Sequence, residues 1–422
     1  MRQIKKALRT ILIAAAAGSA LLGSASAAAE EKLRIAFIDP LSGAFANVGD
    51  FGVKHWQYLA EHFNAQGGIA GRKIEIVPFD NKASPQESLL ALRQIVDQGI
   101  RYIAQGNGSH VAGALIQAVE KHNQRNPDRS ILYINFAAQD NSLFNELCSY
   151  WHVGLDPSLD MRVRSIVRYI AERPDIKKVF LINQDYAYGQ GWSRQARKML
   201  AEMAPSVEVV GDILHPIGKV KDFSQYALQI KQSGAQAVLT GNWGNDLTLL
   251  IRAGADVGVD AMYFTQAAGG LGAPSSIGKA GDGKVFVSSP YYRDLPDEGG
   301  APQWFQDFVK TFEQRYAAEQ YYWYYMSIVS FMQMIKQAAE QVDSIDPAKL
   351  MPLLEDKPFQ TLFGEARLRK SDHQFLQPMF LSKLSSKAKN EVEKSGMGYV
   401  GERALTASES AVATHCNMKR PN

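Results

Sequence analysis

The chain has 422 residues, with 46 Lys and Arg against 43 Asp and Glu and a formal charge of +3. Residues 1–29 hold Arg2, Lys5, Lys6 and Arg9 and no acid, so without them the formal charge is −1. This excludes the basic footprint of a nucleic-acid binder, and the remaining length suits two domains.

Residues 1–29 read as an export signal: a positive start, a short apolar stretch over 10–22, and the small residues Ala25, Ser26 and Ala27 as a cleavage site. The apolar stretch falls short of the roughly 20 residues needed to span a bilayer, and no later run reaches that length. No cysteine lies near the cut, which argues against a lipid anchor. Export to an oxidising compartment makes a bridge between Cys148 and Cys416 the expected state, with two separate buried thiols as the alternative.

Strand and helix patterns then alternate. Apolar strands are expected over 33–38, 72–79, 102–105 and 131–136, with helices over 49–66, 85–98 and 109–122. The helix over 85–98 has Pro85 at its start and Gly99 after its end. A second round places helices over 161–172, 192–203, 223–233 and 246–255. Its strands lie over 178–183, 207–214, 237–240, 262–265 and 284–288. Near-continuous apolar strands in such an order predict two parallel sheets, each covered by helices on both faces. Helices over 301–316 and 320–342 follow, the second carrying Tyr321, Tyr322, Trp323, Tyr324 and Tyr325. A short helix over 347–355 comes next, and the chain after about 385 is polar and poorly patterned.

Familiar catalytic motifs fail on inspection. The run 278–284 has the spacing of a phosphate loop, but Val285 replaces the magnesium-binding hydroxyl and a strand follows instead of a helix. Gly106 and Gly108 begin a dinucleotide fingerprint whose third glycine is Val111. Ser109 beside His110 fits no nucleophile elbow. His55 and His62 lie on one helix among aromatic residues, a packing pattern rather than a metal-binding one. No cofactor, metal or enzymatic activity is expected. An enzyme with a dispersed triad is the rival from another class.

Ligands of open α/β sheets bind beyond the carboxyl ends of strands. Four loops lie there: 41–49, 106–109, 137–140 and 184–191. Asn107, Gly108 and Ser109 open a helix with bare amides, a setting for an anionic group. Tyr186, Tyr188 and Trp243 are positioned to wall a small-molecule site.

Several stretches resemble the periplasmic branched-chain amino-acid-binding proteins, substrate-binding components of ABC importers. They include Pro40 to Gly43, Asn64 to Gly71, Tyr188 with Gly189, Lys221 to Phe223 and Pro358 to Gly364, and the resemblance covers nearly the whole chain after the signal. It implies the type I fold, two lobes joined by crossovers near 153–157, 285–291 and 358–364. One lobe would hold 30–154 with 288–358, the other 155–287 with 359–422. It places the ligand carboxylate against Ser109 and against Ala137, Ala138 and Gln139, with Tyr188 and Trp243 closing from the second lobe. The acid that meets a ligand ammonium is replaced here by Gln266, which leaves Asp185 or Asp246 to substitute, or a ligand with no ammonium: an aromatic or aliphatic carboxylate, or an amide. A monomeric periplasmic receptor serving an inner-membrane permease follows from the resemblance; a soluble ligand sensor is the other possibility.

Overall fold

The computed structural model describes residues 31–421. The expected export signal at 1–29 lies outside the described residues. Ten strands form two parallel arrays. The first sheet contains β1 (Leu33–Asp39), β2 (Ile74–Asp80), β3 (Tyr102–Gln105), β4 (Leu132–Asn135) and β5 (His152–Gly154), ordered β2-β1-β3-β4-β5 and wholly parallel. The second contains β6 (Lys178–Gln184), β7 (Glu208–His215), β8 (Ala237–Leu239), β9 (Met262–Thr265) and β10 (Val285–Ser289). Their order, β7-β6-β8-β9-β10, repeats the first. Strands β3, β4, β8 and β10 are buried at every position, because helices cover both faces and no alternation survives.

In each sheet the order reverses at the first strand. The loops after β1 and β3 therefore diverge in one lobe, and those after β6 and β8 in the other, which opens a crevice at each set of carboxyl ends. Gly189 shows how tightly a loop closes here: a Cβ on it would collide with the Gln184 carbonyl. The helix Ala187–Met203 consequently starts straight off β6, so Tyr188 sits in its first turn and not in a loop before a helix at 192.

Three other expectations are corrected. The helix expected over 320–342 begins at Met326. The aromatic run before it lies outside that helix, and its rings reach different partners: Trp323 packs 4.6 Å from Phe308, Tyr325 5.2 Å from Phe136, and Tyr324 lies against Gly269 of the other lobe. The third crossover is not at 358–364. Those residues fall in β11 (Phe359–Thr361) and β12 (Gly364–Leu368), which with β13 (Phe375–Leu376) form a small antiparallel sheet. The chain instead pairs with Gly154 at Gln374 and enters the second sheet with β14 (Met379–Ser385). Finally, the stretch after 385 contains β15 (Gly398–Leu405), an edge strand antiparallel to β14. Only its ends are buried, so its apolar alternation is too weak to read from sequence.

Candidate functional site

The first lobe builds its half of the crevice on two buried polar anchors. Below the loop after β3, the carboxylate of Asp39 accepts the Asn107 amide at 2.9 Å and its Nδ2 at 2.7 Å. Gln105 Nε2 donates to the Asn107 carbonyl at 2.7 Å. Asn107 is thus turned down onto Asp39 and supports the loop. Burial pushes the Asp39 carboxyl up to about 7, against the hydrogen bonds from Asn107. Gly106 lies so near Phe136 that a Cβ would come within 2.6 Å of the ring. Gly108 turns the chain at φ +93°, where a side chain would strain the backbone. The 17-residue helix Ser109–Arg125 then begins with no side-chain cap. Its first amides carry the positive end of the helix dipole.

The second anchor is Asn135 at the end of β4. Its Oδ1 accepts the Ala138 amide and its Nδ2 donates to the Ala138 carbonyl, both at 2.8 Å. The Ala137 amide donates to the same oxygen at 3.3 Å. This brings the Asp140 amide to 3.4 Å from Ser109 Oγ, joining the two expected carboxylate-binding loops. His110 is exposed and contacts the Ala83 carbonyl at 3.2 Å through Nε2, so it forms no pair with Ser109.

The lobes meet at Tyr188. Its hydroxyl donates to Gln139 Oε1 of the first lobe at 2.9 Å and accepts from Gln266 Nε2 of the second at 2.8 Å. Burial raises the Tyr188 phenol well above its ordinary range, so it is a neutral donor at any physiological pH. Gln139 reaches the other way as well, donating from Nε2 to Asp156 at 2.6 Å. Trp243 Nε1 donates to Tyr186 Oη at 2.9 Å, and its ring lies 5.3 Å from that of Phe45 across the crevice.

Beneath this contact lies a buried ion pair. Arg162, 1% exposed, gives Nη2 to both Asp156 oxygens at 2.7 Å and Nη1 to the Ser288 carbonyl. The pair ties the segment after β5 to the end of β10. Burial raises the Asp156 carboxyl above its ordinary value even though Arg162 and Gln139 oppose it.

Of the residues singled out from sequence, Gln139, Tyr188 and Gln266 are joined by hydrogen bonds, and Ser109 meets the loop that carries Gln139. Trp243 borders the crevice with Tyr186. Gly108, Ala137 and Ala138 shape the backbone, and Asn107 supports it. Asp185 stands apart, exposed and bonded to Gln190 at 2.9 Å. Asp246 is 3% exposed, and its Oδ2 already accepts from Gln184 Nε2 and the Gly218 amide, both at 2.8 Å. Phe45, Asp156 and Arg162 were missed. Phe45 and Asp156 fall inside segments already marked as a crevice loop and a crossover. Arg162, one charge on an amphipathic helix, carries no such signal.

Cys148 and Cys416 form the expected disulfide, with 5.9 Å between their Cα atoms. Among the described residues, no group of three or more His, Cys, Asp or Glu side chains could hold a metal ion. No described helix is long and apolar enough to cross a membrane.

Residues 32–389 match the family model described as periplasmic binding protein. A Leu/Ile/Val-binding protein homologue of Brucella melitensis is 29% identical over 98% of this chain and 99% of its own length. The closed conformation of a leucine-, isoleucine-, valine-, threonine- and alanine-binding protein from Brucella ovis superposes with a TM-score of 0.84. That pair is 27% identical and covers 93% of this chain and 100% of the other. A solute-binding protein of Rhodopseudomonas palustris in complex with 3,4-dihydroxybenzoic acid shares the fold at a TM-score of 0.72 and 19% identity, over 89% of this chain and 98% of its own. The chain therefore belongs to the periplasmic binding protein family, in the group of branched-chain amino-acid-binding proteins of ABC transporters.

Proposed function

We propose that this protein captures a small carboxylate-bearing molecule between its two lobes and hands it to an inner-membrane permease. One observation carries the reading: Tyr188 of one lobe is hydrogen-bonded to Gln139 of the other, beside the uncapped helix start at Ser109. A carboxylate fits there because bare amides and a serine hydroxyl donate to it. Trp243, Tyr186 and Phe45 offer an apolar wall for the rest of the molecule. Ligand contacts both lobes only when they are together, so binding shifts the population toward the closed form. No covalent step is required, and the protein works as a monomeric periplasmic receptor.

The inventory of acids favours a ligand without an ammonium group. Asp156 is committed to Arg162 and Gln139, Asp246 to Gln184 and Gly218, and Asp185 is out in solvent. Gln266 offers a neutral amide where an acid would be needed. A buried ammonium with no anionic partner is costly. An amino acid such as leucine is the competing reading.

Mass spectrometry of small molecules released from natively purified protein identifies the ligand class. Calorimetric titration with leucine, benzoate and a short amide then ranks the chemistries. Tight binding of leucine alone defeats the ammonium-free reading; no binding of any small molecule, with turnover of one of them, defeats the receptor reading.

A further inference from the structure

Beyond the three crossovers, a fourth connection runs between the lobes. The chain leaves the second sheet at the end of β15 and forms the short helix Ala407–Ser410, capped by Thr406. Arg164 donates to the Glu409 carbonyl at 3.3 Å and Arg168 pairs with its carboxylate at 3.2 Å. Both arginines stand on the helix Leu159–Ala171 of the second lobe, so this point is fixed there. Past Glu409 the chain crosses over. Thr414 Oγ1 donates to the Phe144 carbonyl at 2.8 Å, and the His415 amide to Asn145 Oδ1 at 3.0 Å. Cys416 is bonded to Cys148. Arg420 pairs with Glu355 at 2.8 Å, donates to the Lys370 carbonyl at 2.7 Å and lies 5.4 Å over the Tyr150 ring.

These last contacts belong to the first lobe. The segment 141–150 packs on the helix after β3: Ser149 bonds Glu120, and a Cβ on Gly113 would meet Leu147 at 3.2 Å. Glu355 follows the helix Pro347–Leu354, whose capping residue Asp346 pairs with Arg101 at 2.7 Å. The tail is therefore anchored on both lobes, and on the first by a covalent bond.

We propose that residues 409–416 act as a tether that sets how far the two lobes part. The inference rests on the reading that the lobes open and close about the crossovers. From Glu409 to Cys416 there are seven backbone steps, so a fully stretched tether reaches about 25 Å at roughly 3.6 Å per residue. Opening beyond that must break either the disulfide or the grip of Arg164 and Arg168 on Glu409. By excluding the widest open states, the tether lowers the entropy of the open ensemble and favours closure.

Two variants test this, each read by small-angle X-ray scattering on protein freed of bound small molecules by exhaustive dialysis. Cys148→Ser/Cys416→Ser removes the bond. Insertion of Gly-Ser-Gly-Ser between Ala413 and Thr414 keeps the bond and lengthens the tether. Both are expected to raise the radius of gyration by on the order of 1 Å, against roughly 21 Å for a compact chain of this length without residues 1–29. An unchanged radius in the insertion variant overturns the tether, even where the serine variant expands or fails to fold, because the bond would then act only on stability. A radius that responds in a protein shown to bind no small molecule would leave the tether standing and remove the receptor reading.

Discussion

Removing one oxygen atom tests the contact between the lobes. In Tyr188→Phe, Gln139 Oε1 loses its donor from the other lobe and Gln266 Nε2 loses its acceptor. The bond across the crevice contributes about 1 kcal/mol net. Gln266 is 6% exposed when the lobes are together, so stranding its amide adds about 1–3 kcal/mol. In the open form water reaches both groups and neither penalty applies. The closed form therefore loses about 2–4 kcal/mol relative to the open one, while each lobe keeps its own stability. At 1.4 kcal/mol per factor of ten, ligand affinity falls by at least about 30-fold. The assay is calorimetric titration of wild type and variant with the molecule recovered from natively purified protein, beside urea unfolding of both. Affinity within about twofold of wild type would refute the role given to this hydroxyl, since the closed form would then be indifferent to it.

Two further expectations concern the buried charges. Asp39 releases its proton at about 7 in the folded chain against an ordinary 3.8, so the folded state holds a proton that the unfolded chain has already lost between those values. Its contribution to stability is full below about pH 4 and declines by ~4 kcal/mol as the pH rises to about 7. Urea unfolding across that range should show a flatter profile in Asp39→Asn than in wild type; parallel profiles contradict the assignment. Arg162→Met leaves the Asp156 carboxylate buried beside Gln139 alone, and unfolding free energy should drop by about 3–5 kcal/mol. Adding Asp156→Asn should recover part of the loss, and a single variant as stable as wild type would show the pair to be dispensable.

Much of the architecture was legible in local pattern. Strand β3 and the helix start at Ser109 follow from a short apolar run that ends in Gly106 and Gly108, and β9 from four apolar-rich residues at 262–265. Repeating strand and helix periods told of two parallel sheets, because period and turn chemistry are properties of a few consecutive residues. The strand ends that place Ser109, Gln139 and Tyr188 follow from the same local pattern. The bridge between Cys148 and Cys416 followed from compartment and parity alone.

What escaped depended on residues far apart in the chain. Edge strand β15 exists because β14 supplies its hydrogen bonds, not because its own residues alternate. The aromatic run at 321–325 reads as helix by composition, yet it stays outside the helix, with its rings held by partners in both lobes, Phe308 and Gly269 among them. Asn107 is expected from sequence at the crevice, but its side chain is bonded to Asp39, buried 68 residues earlier. Arg162 is an ordinary helical cation by sequence and a fully buried one in the fold, since only the approach of Asp156 and Ser288 supplies the partners that make its burial tolerable. Short-range pattern thus determined which elements form and where the loops that line the crevice begin. The meeting of the two lobes decided which side chains those loops present to the crevice, because hydrogen bonds and desolvation across it have no local signature.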